Sequence, residues 1–97
     1  IGDYVEFTLG GLSHDNYAVA IYATKATDYG IVDLLLNGKY AKTFDSYSET
    51  VSDSGAITLG NIAPSNGEIK IKILIKGKNT ESKGFMFGLD CITLKEI

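Results

Sequence analysis

From Asp3 to Leu9 apolar and polar residues alternate, with Val5, Phe7 and Leu9 on one face and Tyr4, Glu6 and Thr8 on the other. A period of two predicts a half-buried strand. Gly10-Gly11 and Ser13-His14-Asp15-Asn16 supply turn chemistry, since glycine tolerates positive φ and short polar side chains bond their own backbone. Tyr17 to Thr24 places Tyr17, Val19, Ile21 and Ala23 on one side and Ala18, Ala20 and Tyr22 on the other. Both sides are rather apolar, which predicts a central strand.

Lys25 to Gly30 reads as a loop with Tyr29 near its tip. Ile31 to Leu36, Asn37-Gly38 and Lys39 to Phe44 form the plainest hairpin, because Asn-Gly accepts the two positive φ angles of a type I′ turn. Asp45 to Val51 allows two readings: the preceding strand continued past a bulge, or a loop leading into a short edge strand. Ser52-Asp53-Ser54-Gly55 predicts a turn, and Ala56 to Gly60 a strand with Ile57 and Leu59 inward. Asn61 to Gly67, with Pro64 and a second Asn-Gly, is a connector. Glu68 to Lys76 then alternates almost throughout, with Ile69, Ile71, Ile73 and Ile75 toward the core and Leu74 interrupting the outer row. A polar, glycine-bounded loop runs into a closing strand from Phe85 to about Leu94, in which Gly88 marks a bulge or the close approach of another backbone. No stretch has a convincing helical period. Short strands separated by turn signals predict an antiparallel sandwich or barrel.

With 97 residues the chain can build one domain around one modest core. Hydrophobic residues at 44% and charged residues at 22% are those of a globular chain. A formal charge of −3 argues against a nucleic-acid partner, which requires a clustered positive surface. Lys70, Lys72, Lys76, Lys78 and Lys83 read instead as a solvated strand face protected against edge pairing. Cys91 is the one cysteine, so no internal disulfide forms; its place in the closing strand predicts a small buried hydrophobe. The richest apolar segment, Ile31 to Leu36, carries Asp33 and falls far short of a membrane span, and no signal peptide is present. The chain starts without methionine and enters a strand pattern almost at once, as expected of a module cut from a longer protein.

Gly2-Asp3-Tyr4-Val5-Glu6-Phe7-Thr8-Leu9 resembles a stretch of family 6 and family 35 carbohydrate-binding modules, and Gly88-Leu89-Asp90-Cys91-Ile92-Thr93-Leu94 resembles their closing strand. The stretches Phe44 to Ser48, Ile57 to Gly60, Gly77 to Asn79 and Ser82 to Gly84 are similar to C-terminal sandwich regions of bacterial proteins with carbohydrate-active or uncharacterised catalytic parts. The resemblance implies an all-β, antiparallel jelly-roll sandwich of the galactose-binding type with about seven or eight strands. It also implies a noncatalytic accessory module of an exported bacterial protein, extracellular, periplasmic or at the cell surface. Its partners would be a polysaccharide or oligosaccharide and the parent protein's catalytic domain. Two positions depart from the pattern: Gly88 stands where an asparagine often helps hold sugar, and the region upstream of the first strand, which carries a structural calcium and one aromatic platform, is almost absent. Tyr47 falls where the family carries a tryptophan.

A sugar site needs an aromatic face with amides and carboxylates beside it. With no tryptophan in the chain, the aromatic face falls to Tyr29 and Tyr47, flanked by Asp28, Asp45, Asn79, Glu81 and Lys83. The competing reading is that the tyrosines cap the sandwich and the polar groups are solvated or bond the backbone. Asp90, among apolar neighbours, is expected to accept bonds from loop amides or to pair with a lysine.

Catalytic signatures are weak. Asp45 with Glu49 or Asp53 is only a formal carboxylate pair, and Ser13-His14-Asp15 is no triad because adjacent side chains point apart. There is no phosphate loop and no transition-metal cluster; no cofactor is indicated, although calcium on loop oxygens is compatible with the sequence. Two functions of different class follow: a carbohydrate-binding module, or a structural module that packs on a neighbouring domain or self-associates through an exposed sheet edge.

Overall fold

The computed structural model describes residues 2–97. Seven strands follow in order: β1 (Tyr4–Leu9), β2 (Tyr17–Lys25), β3 (Ile31–Leu36), β4 (Lys39–Asp45), β5 (Ser52–Ile62), β6 (Ile69–Gly77) and β7 (Gly88–Glu96). They form two antiparallel sheets, one ordered β1-β6-β3-β4 and the other β5-β2-β7, packed as a sandwich. The all-β sandwich expected from the period-two pattern is the fold observed.

The core lies where the alternating faces meet. Ile21 and Val19 from β2, Val32 and Leu34 from β3, and Ile69, Ile71 and Ile73 from β6 are essentially sealed from water. β2 is the middle strand of its sheet, which explains the two apolar faces read from its sequence. The β3–β4 hairpin turns at Asn37 (φ 48°) and Gly38 (φ 81°), the two positive angles that Asn-Gly was expected to accept. Asn37 does more than turn: its N–H donates to Lys70 O (2.8 Å), and its Oδ1 accepts the Lys70 N–H (2.7 Å). The hairpin tip is thereby tied to β6. Asn37→Ala is expected to cost about 1–2 kcal/mol, from the left-handed backbone and the lost bond together, read as a lowered urea midpoint.

Several expectations fail, each for a tertiary reason. Ser52 to Gly55 is no turn but the start of β5. Between the pairs Tyr22↔Ala56 and Thr24↔Asp53 the register shifts, so that Ser54 and Gly55 oppose Ala23 alone. Gly55 takes φ 71°, and the Ala23 N–H donates to Ser54 Oγ (2.9 Å), a side chain standing in for the interrupted ladder. Asp45 to Val51 follows the loop alternative, but the edge strand it enters is long, at 11 residues. The closing strand starts at Gly88 rather than Phe85, because residues 85–87 are held by the 28–30 loop: Met86 N–H donates to Asp28 O (3.1 Å) and Gly30 N–H to Met86 O (2.7 Å).

In β7 the bulge falls at Asp90, left over between the pairs Tyr22↔Cys91 and Ala23↔Leu89. That one extra residue resets the phase. Leu89, Ile92 and Leu94 pack on the core while Cys91 is turned outward and exposed, against its expected burial. Asp90 is also exposed, and its partner is the Thr24 hydroxyl, which lies 3.0 and 3.2 Å from its two oxygens, not a lysine or a loop amide. Gly88 carries no bulge, and what approaches it is the ring of Tyr29, not backbone. Finally, the lysines of β6 cannot guard an edge, since β6 lies between β1 and β3; Lys72 Nζ sits 4.1 Å from the Tyr4 ring centroid, and Lys76 reaches to 4.0 Å from Asp33.

Candidate functional site

Strand direction gathers three connections at one end of the sandwich: residues 26–30 between β2 and β3, 46–51 between β4 and β5, and 78–87 between β6 and β7. All seven residues expected at a binding site lie there or, for Asp45, at the adjoining end of β4.

The loops are pinned to one another by backbone bonds. Ala26 N–H donates to Ser46 O (3.1 Å), Ser48 N–H to Ala26 O (3.1 Å), Ser46 N–H to Gly30 O (3.1 Å) and Lys83 N–H to Thr27 O (2.8 Å). Two buried serines complete the lattice. Ser46, fully buried, donates its hydroxyl to Gly30 O. Ser82, 4% exposed, has Tyr29 O at 2.7 Å, Gly84 O at 3.0 Å and Thr27 O at 3.3 Å around its Oγ. A buried hydroxyl is tolerable only when it is bonded, and no buried side-chain nitrogen or oxygen among the described residues lacks a partner. Neither serine stood out in the sequence, because serine is ordinarily a surface residue and nothing local distinguishes these two.

On this base the structure joins some of the expected residues and separates others. Asn79 Nδ2 donates to Asp45 Oδ2 (2.9 Å), bridging two loops. Asp45 Oδ1 accepts the Tyr47 N–H (3.0 Å), and Asn79 Oδ1 accepts the Glu81 N–H (2.9 Å). Asp45, Tyr47, Asn79 and Glu81 therefore form one connected group, with Asp45 and Glu81 exposed and Tyr47 and Asn79 half-buried. Asp28, Tyr29 and Lys83 make a second group. Tyr29 is half-buried with its ring over Gly88, where a Cβ would stand 3.0 Å from its hydroxyl and 3.1 Å from Cε2. Asp28 is half-buried, its carbonyl oxygen at only 2.9 Å from where a Cβ on Gly84 would lie. Lys83 is exposed beside them.

Chemically, the first group offers a carboxylate and an amide fixed to each other and to the backbone of Tyr47, with a second carboxylate at Glu81. Such an arrangement can exchange directed hydrogen bonds with hydroxyl groups. Among the described residues no three His, Cys, Asp or Glu side chains are grouped to hold a metal ion. Three surface grooves lie off the seven residues: one at Asn37, Ser65, Glu68 and Lys70, one between β4 and β5 beside Tyr40 and Asn61, and an apolar one beside β1.

No protein-family model matches the sequence. No curated protein matches it either. Among solved structures, the chain is similar to part of a Paenibacillus xanthan lyase, with 29% identity and a TM-score of 0.78, over 100% of this chain and 10% of the lyase. It is also similar to the CBM36-1 domain of a multidomain xylanase from the hindgut metagenome of Trinervitermes trinervoides, with 17% identity and a TM-score of 0.63, over 99% of this chain and 73% of that one. The chain spans only a tenth of the lyase. The fold is thus a seven-stranded sandwich like that of a family 36 carbohydrate-binding module, where the sequence resemblance pointed to families 6 and 35.

Proposed function

We propose that this chain is a noncatalytic module that binds a polysaccharide at its loop end, within an exported bacterial protein whose catalytic part lies elsewhere. One observation carries the reading: the Asn79–Asp45 bond holds an amide and a carboxylate in place, with Asp45 also bonded to the backbone N–H of Tyr47, whose ring is the aromatic face assigned to the site. Directed polar groups next to an aromatic face are what a pyranose requires, and groups held before binding lose little entropy on binding. The architecture shared with part of a xanthan lyase and a xylanase module supports the same class of ligand, and an extracellular or cell-surface location goes with that reading.

Xanthan and xylan are the first probes, by calorimetry and affinity electrophoresis, followed by a glycan array. Tyr47→Ala is expected to weaken binding about tenfold, the effect of losing ~1.4 kcal/mol of stacking. Asn79→Ala is expected to weaken it as well, by freeing the Asp45 carboxylate. Binding that leaves both variants unchanged moves the site off this loop end, and an array without any bound glycan removes the reading.

A further inference from the structure

Asn-Gly occurs twice in this chain, at Asn37-Gly38 and at Asn66-Gly67, and the two pairs have much in common. Both asparagines take left-handed backbone, at φ 48° and 54°, and both line one open polar groove with Ser65, Glu68 and Lys70. They differ in how they are held. Asn37 is half-buried; its N–H donates to Lys70 O (2.8 Å) and its Oδ1 accepts the Lys70 N–H (2.7 Å), so backbone and side chain are both fastened to β6. Asn66 is exposed. The bonds around it are the isolated pair Ser65 N–H to Glu68 O (2.8 Å) and Glu68 N–H to Ser65 O (3.0 Å), with Leu12 N–H to Gly67 O (3.0 Å) beside them. Among the described residues none holds the Asn66 side chain or the Gly67 N–H.

We propose that Asn66 is a site of spontaneous covalent modification, losing its side-chain amide and isomerising to isoaspartate, while Asn37 in the same groove is protected. The Gly67 nitrogen gives up its proton to water and attacks Asn66 Cγ. A C–N bond forms there, the Cγ–Nδ2 bond breaks, and Nδ2 takes a proton and leaves as ammonia. Water then opens the five-membered imide at one of its two carbonyls. Opening at Cγ gives aspartate; opening at the main-chain carbonyl gives isoaspartate, with the backbone now running through Cβ and Cγ. Nothing is oxidised or reduced.

Glycine is what leaves the attacking nitrogen unshielded. Asn16, Asn61 and Asn79 precede Tyr17, Ile62 and Thr80, whose side chains obstruct the approach. Asn37 shares the glycine but not the freedom, because the imide closes only when the turn opens locally and the side chain swings onto the backbone. At Asn37 that motion breaks both bonds to Lys70, which no water replaces while the hairpin stays on β6. At Asn66 the side chain has no bond to lose. The isoaspartate product lengthens the main chain between Ser65 and Glu68, so their pairing is lost and Gly67 O moves from Leu12 N–H. It also sets a new carboxylate beside Glu68 in the groove.

The test keeps the 97-residue chain folded at mildly alkaline pH, then follows its tryptic peptides by mass. Peptide 43–70, which carries Asn66, is expected to gain one mass unit at least about tenfold faster than peptide 26–39, which carries Asn37. In urea, with the chain unfolded, the two rates are expected to converge, since both asparagines precede glycine. The aged protein is expected to accept methyl groups from an isoaspartyl methyltransferase. Asn66→Gly, which suits the left-handed turn, is expected to abolish both the mass gain in 43–70 and the methylation without lowering the melting temperature. Equal rates at the two sites in the folded chain overturn the proposal, as do rates that stay apart in urea. So does an aged protein that is not methylated, or a mass gain in 43–70 that survives Asn66→Gly and therefore belongs to Asn61.

Discussion

Leu34→Ala is expected to lower the unfolding free energy by about 3–5 kcal/mol, the largest single effect in this molecule. Leu34 is fully buried in β3, which has strands on both sides, pairing with Ile73 on one and with Lys42 on the other. The neighbouring side chains are held by two hydrogen-bonded ladders, so they cannot collapse into the space left behind. The cavity term therefore adds to the lost transfer free energy instead of being relaxed away. Against a total stability of roughly 5–15 kcal/mol, and nearer the lower figure for a chain this small, the variant is expected to be partly unfolded at room temperature. Urea titration followed by circular dichroism checks it, with a much lower midpoint and an unchanged slope where the native state persists. Cys91→Ala is the matched control. Cys91 is exposed, so its truncation is expected to move stability by no more than about 0.5 kcal/mol. A large loss at Cys91 would mean that the β7 bulge does not set the phase described above.

Gly30→Ala is the second change with a large expected effect, and it acts on stability and binding together. A Cβ at Gly30 would stand 2.9 Å from Gly77 O, 3.2 Å from Phe85 Cα and 3.3 Å from Phe85 C. All three are backbone atoms, so no side chain can rotate away and the 78–87 loop itself must move. The cost is expected at about 1–3 kcal/mol, a drop of roughly 4–8 °C in Tm for each kcal/mol in a domain of this size. Movement also strains the Gly30 N–H to Met86 O bond (2.7 Å), and it shifts Asn79 away from Asp45. Binding to whichever probe polysaccharide is retained should fall even at temperatures where the variant is folded. Gly10→Ala discriminates the steric cause from a general glycine effect. No atom lies within 4 Å of a Cβ there and the backbone is not in the left-handed region, so that variant is expected to be near neutral in melting and in binding.

The site was legible in its residue types and illegible in its connections. Tyr47, Asp45, Asn79 and Glu81 could be singled out because an aromatic and polar side chains in turn-rich stretches are visible one residue at a time. The Asn79–Asp45 bond could not, since it joins positions 34 apart through geometry set by two loops. Ser46 and Ser82 were missed for the same reason. Their role comes from carbonyls supplied by other loops, Gly30 for one and Tyr29 for the other.

The alternation of Val5, Phe7 and Leu9, of Val19 and Ile21, and of Ile69, Ile71 and Ile73 was enough to specify strands and their inward faces, as was Asn37-Gly38 to specify a hairpin. These are local properties: side chains on a strand alternate whatever the strand pairs with, and a type I′ turn is a matter of two backbone angles. Which strands become neighbours is not local, and neither is the place where a ladder slips. The bulge at Asp90 exposes Cys91, the bulge at Ser54 and Gly55 turns an expected corner into strand, and β6 lies inside its sheet instead of at the rim. Each depends on the free energy of pairing with residues distant in the chain. Those partners come together only when the two sheets close over a common core.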